Sequence, residues 1–180
     1  MKPTQVTGRL WVLRDSDGVL YDDVDTDMIF HNRYLHITDV DAMGQYALDN
    51  LAGWEDFAHK AQPGDIVMAG RNFGAGSSRQ QAVDCFRALG IAALVAESFG
   101  AIYKRNAINS GLPIVIVPDL TKIAAAFENE AMMHIDFVKG KIVYNKAHTF
   151  SARPFSKVQM DIYQAGNLFA YGKLIDDEAL

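Results

Sequence analysis

The stretch over residues 70–81 most constrains this chain, because it places glycines and hydroxyls between a strand and a helix. Before it, residues 65–69 form a short apolar run with β-branched members, which is typical of a buried strand. After it, apolar residues recur at i, i+3, i+4 and i+7: Ala82, Cys85, Phe86 and Leu89. This spacing predicts a helix over 77–89, with Ser77 or Ser78 as its N-cap.

Two serine–glutamine pairs in the stretch, Ser77 with Gln80 and Ser78 with Gln81, fit the S-x-x-Q capping box. Such a cap directs backbone N–H groups, hydroxyls and the Arg79 side chain toward one point near a helix N-terminus. Partial positive charge collects there. The sequence therefore predicts an anionic ligand, either a carboxylate or a phosphate.

Apolar runs over 65–69, 91–96 and 114–117 alternate with helical patterns over 77–89 and 98–109. This alternation favours an α/β fold whose core is a parallel βαβαβ unit with right-handed crossovers. Ligands of such sheets bind at the carboxyl ends of the strands. The glycine-rich stretch lies at one of those ends.

The remaining segments predict local elements outside this core. These are an opening strand over 6–13 with a turn over 15–18, a helix from Asp119 or Thr121 through Met133, a hairpin over 136–144 and a terminal helix over 155–165.

Length and charge exclude several classes of function. The 180 residues fit one domain, 1–180, and the formal charge of −5 gives no basic excess for nucleic-acid binding. No apolar run is long enough to cross a membrane, and the N-terminus lacks the pattern of a signal peptide. We expect a cytoplasmic protein with no nucleic-acid or membrane partner.

Cys85 is the one cysteine of the sequence, so it cannot form an internal disulfide or hold zinc or an iron–sulfur cluster alone. Its position on the apolar stripe favours a buried core residue over a nucleophile. We expect no metal site on this chain, and any cluster must come from another chain.

Four aspartates fall within the six positions from Asp22 to Asp27. Dense carboxylates suggest calcium, but the spacing lacks the D-x-D-x-D-G loop and its distal glutamate. Two interpretations remain open, namely a solvated turn and a wall of the site.

Two common chemistries do not fit the glycine-rich stretch. The G-x-G-x-x-G dinucleotide motif fails because Arg79 stands at its last position, and no P-loop motif occurs. A G-x-S-x-G nucleophile elbow is also missing from the sequence.

The stretch does resemble the Gly-x-Gly-Ser-Ser-Arg signature of the aconitase superfamily, and the chain is similar to small subunits of 3-isopropylmalate dehydratase. The ordered matches are Asp25-Thr26-Asp27 with Ile29, Arg33-Tyr34-Leu35, the segment 72–79, Glu97-Ser98-Phe99, and the segment 105–113. Together they span residues 22–113, which makes the resemblance far more specific than any one motif.

The resemblance implies a swivelling β/β/α domain that closes over a large subunit carrying a four-iron four-sulfur cluster on three cysteines. It implies a hydro-lyase, active only as a heterodimer or heterotetramer with that subunit. The reaction removes and re-adds water on a 2- or 3-hydroxy dicarboxylic acid, here 3-isopropylmalate and 2-isopropylmalate in leucine biosynthesis.

The resemblance also implies roles for site residues. Ser77 would be the base that takes a proton from carbon, and Arg79 would bind a substrate carboxylate. Asp27 would orient a neighbouring group, while Ser78 and Gly76 would contact substrate. The alternatives are structural: Ser77 and Ser78 cap a helix, Arg79 makes a surface ion pair, and Asp27 has an N-cap or turn role.

Two departures from the family pattern stand out. Gln80 replaces the usual glutamate after the arginine, and the specificity loop carries His36 and Ile37 instead of an arginine or a purely apolar run. Ile37 favours a branched alkyl substituent, whereas a protonated His36 suits a carboxylate. The alternatives are therefore a homoaconitase or a methylmalate or dimethylmalate dehydratase small subunit and, from another class, a non-catalytic carboxylate-binding or regulatory module.

Overall fold

The computed structural model of the protein describes residues 1–178. Its strands are β1 (Gln5–Val12), β2 (Ile66–Ala69), β3 (Ala93–Ala96), β4 (Ile114–Ile116), β5 (Met132–Asp136), β6 (Lys141–Tyr144) and β7 (His148–Ser151). Its helices are α1 (Thr26–Ile29), α2 (Val40–Met43), α3 (Phe57–Lys60), α4 (Gln81–Ala88), α5 (Ala101–Asn109), α6 (Leu120–Ile123), α7 (Lys157–Ala165) and α8 (Leu168–Glu178).

All seven strands form one sheet in the order β4-β3-β2-β1-β5-β6-β7. Strands β1 to β4 run parallel to one another, whereas β5 pairs antiparallel with β1 and the pairs β5–β6 and β6–β7 are also antiparallel. The segment β2-α4-β3-α5-β4 is the predicted βαβαβ unit, which confirms the parallel core. Strand β1 extends that core on one side and joins it to the antiparallel half.

Two apolar clusters cover the two faces of the parallel core. Val67 and Ala69 of β2 pack with helical residues from α1 to α5 on one face. Ile66 and Met68 face the other way, toward α6, α7 and the inward side chains of β5 and β6. This alternation follows from the period of two along a strand. Because both faces are buried, β2 and β3 read as continuous apolar runs in the sequence.

Several local predictions are confirmed. The opening strand is β1, and the turn after it closes with Gly18 donating to the Asp15 carbonyl at 3.0 Å. Strands β5 and β6 form the predicted hairpin. Helix α7 ends at Ala165, as predicted, and Gly166 follows it as the C-cap. Its φ of 104° is readily adopted by glycine and is strained for other residues.

The predicted helix through Met133 is wrong. Helix α6 ends at Ile123, one 3₁₀ turn follows over Ala124–Ala126, and β5 begins at Met132. The side chains of this segment alternate between two faces: Met133 and Ile135 are buried in an apolar cluster on one face of the sheet, while the backbone of β5 pairs with β1. Tertiary pairing therefore outweighs the helix propensity of the alanine-rich segment. Strand β7 and helix α8 have no counterpart among the sequence-based predictions.

Among residues 1–178, none of the helices has both the length and the apolar character that a membrane crossing requires.

Gly74 lies where the loop after β2 passes over α5, and the approach leaves no room for a side chain. Its φ is +76°, and an added Cβ would lie 2.1 Å from Cγ of the buried Tyr103 ring. We expect Gly74→Ala to destabilise the fold by about 2–5 kcal/mol, the sum of overpacking and left-handed strain. Thermal unfolding of the isolated chain measures the loss.

Gly53→Ala is the matched control for Gly74→Ala. Gly53 has a φ of +78° but no heavy atom within 4 Å of an added Cβ, so it reports backbone strain alone. We expect it to cost only about 1–2 kcal/mol. Equal melting temperatures for the two variants would contradict the close approach to Tyr103.

Candidate active site

The glycine-rich loop lies at the carboxyl ends of β2 and β3 and is held there by backbone hydrogen bonds. Gly70 donates to the Tyr21 carbonyl at 2.7 Å and accepts from the Glu97 N–H at 3.1 Å. Phe73 donates to the Ser98 carbonyl, and Asn72 donates to the Ser98 hydroxyl. The loop is therefore anchored to the segments that follow β1 and β3, which is the predicted end of the sheet.

The acidic stretch runs along this loop, and its carboxylates are engaged by named partners. These are Arg71 for Asp22, Asn72 for Asp23, the first amides of α1 for Asp25, and Arg79 for Asp27. The carboxylates of the stretch therefore have partners within the chain, and its role as a wall of the site stays a prediction. Within the described residues, no three His, Cys, Asp or Glu side chains are grouped to hold a metal ion.

The predicted N-cap of α4 is wrong. The helix begins at Gln81, its N-cap residue is Gln80, and no side chain caps it in the described structure. Ser77 and Ser78 stand in an exposed bend before it. Gly76, with φ of +92°, turns the chain there, and the Ser77 carbonyl accepts from the Arg79 N–H at 2.8 Å. Both capping boxes therefore fail, and both hydroxyls lie outside the first helical turn.

The Ser77 hydroxyl instead meets a second hydroxyl. Its Oγ lies 3.0 Å from Oγ1 of Thr26, the first residue of α1. The backbone N–H groups of Ser77 and Ser78 find no acceptor within residues 1–178. The exposed residues Ser77 and Ser78 thus carry two hydroxyls and two backbone amides without an acceptor, a donor set that suits an anion.

Arg79 binds α1 through one nitrogen of its guanidinium. Nη1 donates to the Thr26 carbonyl at 3.2 Å, the Asp27 carboxylate at 2.9 Å and the Phe30 carbonyl at 2.6 Å. Its Nε and Nη2 have no acceptor in the described part of the chain. The side chain is only 12% exposed, so its position is fixed. One edge of the planar fork therefore remains for a carboxylate.

Asp27 is held as a carboxylate by its neighbours. Partial burial acts to raise its pKa, but hydrogen bonds from Arg79 and from the Asn32 N–H outweigh that effect and lower the pKa. The Asn50 side chain also donates to the Asp27 carbonyl at 3.2 Å. Asp27 is therefore an anchor for Arg79, consistent with the predicted orienting role.

The predicted specificity loop, residues 34–38, forms a segment that begins at the last residue of the 3₁₀ turn Asn32–Tyr34. His36 is exposed, and its Nδ1 lies 3.0 Å from the Arg33 carbonyl. Ile37 is half-buried against the apolar cluster beneath α1 and α2. Among the described residues, no hydrogen bond joins either residue to the glycine-rich loop. The structure thus groups Ser77, Arg79 and Asp27 with Gly76 and Ser78, but it leaves His36 and Ile37 in a neighbouring segment.

Thr26 is the site residue that sequence reasoning missed. It is 2% exposed and contacts both Ser77 and Arg79. The sequence feature that could have identified Thr26 is its position between two charged residues, Asp25 and Asp27.

Several known proteins that resemble this chain share one family. The Aconitase C-terminal domain family matches residues 25–118, just over half of the chain. A 3-isopropylmalate dehydratase small subunit from Caldicellulosiruptor bescii is 39% identical over 155 residues, covering 85% of this chain and 90% of that protein. Its counterpart from Sulfurisphaera tokodaii is 37% identical over 155 residues, covering 86% and 89%. The chain belongs to this family of small subunits.

A solved member of the family shares the whole fold. The crystal structure of 3-isopropylmalate dehydratase from Methanocaldococcus jannaschii superposes with a TM-score of 0.82 at 34% identity, covering 98% of this chain and 99% of that one. The predicted α/β fold of the aconitase small-subunit type is therefore confirmed.

Gln80 stands where the sequence resemblance leads us to expect a glutamate, and its contacts explain why an amide suits this position. Its Nε2 donates to the Asp84 carboxylate at 3.1 Å and to the Ser110 hydroxyl at 2.9 Å. Asp84 is buried and also accepts from Arg87 at 2.8 Å. A glutamate here could accept from the Ser110 hydroxyl, but it could not donate to Asp84 and would repel it one turn along the helix.

Cys85 is buried in the apolar cluster beside α4, as predicted for a core residue. Burial raises the pKa of its thiol, so the thiolate that binds iron is strongly disfavoured. The donors of this family member therefore do not fit an iron–sulfur cluster.

The lowered pKa of Asp27 gives a pH-dependent prediction. Its stabilising contribution is present above the unfolded pKa of about 3.9 and is lost as pH falls through the folded value. We expect Asp27→Asn to destabilise the chain at pH 7, with a difference from wild type that shrinks between about pH 4 and pH 2. Urea unfolding across this range measures it.

Asp17→Asn is the control, because Asp17 lies in an exposed turn and the change removes the same charge. A difference for Asp27→Asn that stays constant from neutral to acid pH would contradict the charged contact with Arg79.

Proposed function

We propose that this chain is the small subunit of a 3-isopropylmalate dehydratase, a hydro-lyase completed by a large subunit. The reaction is the interconversion of 3-isopropylmalate and 2-isopropylmalate by removal and re-addition of water, in leucine biosynthesis. The observation that carries the proposal is the convergence of Ser77 and Arg79 on α1, in a chain whose relatives bear this name.

A large subunit is the expected partner because the relatives of this chain are themselves named small subunits. A four-iron four-sulfur cluster held by that partner would supply Lewis-acid chemistry for the departing hydroxyl. The small subunit contributes the base, the carboxylate site and the wall that closes the reaction from water.

Ser77 is the proposed base. A serine hydroxyl takes a proton from carbon only as an alkoxide, and that anion needs fixed positive charge and hydrogen-bond donors. The bend offers candidates for both, since the Arg79 guanidinium binds the carbonyl of Thr26, the residue whose hydroxyl contacts Ser77 Oγ, and the backbone amides of Ser77 and Ser78 have no acceptor among the described residues. The C–H bond of the substrate breaks, its proton stays on Ser77 Oγ, and its electron pair forms the double bond as the hydroxyl departs.

Arg79 is the proposed site for a substrate carboxylate. Because Nη1 is occupied by α1, the carboxylate would bind the edge formed by Nε and Nη2 through two parallel hydrogen bonds. Ser78 and the flexible backbone of Gly76 would complete this contact. Lysine could not reproduce it, because one ammonium group cannot hold α1 and bind a carboxylate in the same plane.

The specificity segment favours an alkyl substituent over a third carboxylate. Leu35 in the segment is 42% exposed, and Val40, which begins α2 just after it, is 38% exposed, so this part of the chain presents apolar surface. The nearby cation, Arg33, is already paired with Asp49 at 3.2 Å and stacked 4.7 Å from the Tyr34 ring. These contacts support the isopropyl-bearing substrate over the homoaconitase alternative.

The test is to co-express the chain with its large subunit, reconstitute the complex anaerobically and measure turnover against a panel of 2- and 3-hydroxy dicarboxylates. We expect 3-isopropylmalate to be the preferred substrate, with no turnover by the small subunit alone. A preference for a tricarboxylate would move the assignment to homoaconitase. A complex that binds substrate but turns over none would favour the non-catalytic module.

Ser77→Ala is expected to lower kcat of this complex by about a thousandfold or more, because the proton acceptor is lost. Assembly with the large subunit should not change, since Ser77 is exposed and its side chain supports no helix cap. Ser78→Ala is the matched control in the neighbouring position, with an expected loss of about tenfold or less. A fully active Ser77→Ala complex would refute the assignment of the base.

A further inference from the structure

Thr26 is a buried residue whose hydroxyl contacts the hydroxyl of an exposed residue, Ser77. It is 2% exposed, whereas Ser77 stands in the open bend, and their oxygens are 3.0 Å apart. Within residues 1–178, the Thr26 hydroxyl makes no other hydrogen bond. Burial normally requires such a group to have a partner, so the contact with Ser77 determines where the Thr26 hydroxyl points.

The backbone of Thr26 is fixed from both sides. Its N–H donates to the Ala75 carbonyl at 2.9 Å, and its own carbonyl accepts from Arg79 Nη1 at 3.2 Å and from the Phe30 N–H at 3.0 Å. The Asp25 carboxylate caps the helix that Thr26 begins. A β-branched side chain on a fixed backbone has few rotamers, so the hydroxyl is held in direction as well as in place.

We propose that Thr26 is a positioning residue for the dehydration, because its hydroxyl donates a hydrogen bond to Ser77 Oγ and holds that oxygen toward the substrate. The inference rests on the proposed function of Ser77 as base. In the hydroxyl form of Ser77 either oxygen can donate. In the alkoxide form only Thr26 can, because the alkoxide has no hydrogen to give.

Thr26 thus stabilises the state that removes the proton and does not itself transfer one. When Ser77 Oγ takes the proton from the substrate carbon, the Thr26 O–H bond stays intact and its hydrogen bond weakens with the loss of charge. A hydrogen bond to a charged group is about twice as strong as one between neutral groups. The contribution of Thr26 should therefore appear mainly in kcat and in the pH at which Ser77 becomes active.

The test compares Thr26→Val, which keeps the shape and removes the hydroxyl, with Thr26→Ser, which keeps the hydroxyl, in the complex with the large subunit. We expect Thr26→Val to lower kcat about ten- to a hundredfold, with KM within about twofold of wild type. The acid limb of its kcat–pH profile should move to higher pH. Thr26→Ser should retain kcat within about threefold.

A double-mutant cycle separates positioning from packing. In a Ser77→Ala background, Thr26→Val should cause no further loss of kcat, because its partner is already gone. The melting temperature of the isolated chain should change little, since water can replace the lost donor at the exposed Ser77. A Thr26→Val complex with wild-type kcat and pH profile would overturn the inference, as would equal losses for Thr26→Val and Thr26→Ser.

Failure of the positioning role of Thr26 can be distinguished from failure of the proposed base role of Ser77. An active Ser77→Ala complex would refute the base itself. An inactive Ser77→Ala complex with an unimpaired Thr26→Val complex would refute only the positioning role.

Discussion

The contact between Arg79 Nη1 and α1 is the interaction on which the site depends. Three oxygens from the short helix and its end converge on this one nitrogen. A helix of four residues is not stable alone, and a glycine-rich bend has high conformational entropy. Each therefore needs the other, and the guanidinium fixes both at once. The same contact leaves Nε and Nη2 of Arg79 without an acceptor among residues 1–178, and this is the edge proposed to bind a carboxylate.

The aspartates extend this principle along the loop. Each carboxylate from Asp22 to Asp27 accepts a hydrogen bond from the loop or from α1. These contacts fix the position of the loop although it has no regular secondary structure. Charge-assisted bonds of this kind are directional and stronger than neutral ones. The site is consequently preorganised before any partner arrives, as electrostatic stabilisation of a developing anion requires.

The sequence is most informative where local pattern and tertiary structure agree. Continuous apolar runs predict β2, β3 and β4, and helical spacing predicts α4, because burial on both faces leaves that signature. It is least informative where distant segments compete. Met133 joins a strand because β1 offers it a partner, and Ser77 leaves the helix cap because Thr26, distant in the chain, offers it a hydroxyl. Spacing alone cannot rank such long-range partners against local ones.

Arg79 is central because it serves two purposes, holding α1 with Nη1 while its other edge is proposed to bind a substrate carboxylate. A crystal structure of the assembled complex with 3-isopropylmalate or an unreactive dicarboxylate analogue tests this dual role most directly. We expect a bidentate carboxylate on Nε and Nη2, with Nη1 still bonded to Thr26, Asp27 and Phe30. A carboxylate bound elsewhere, or a guanidinium that leaves α1 to reach it, would contradict the dual role.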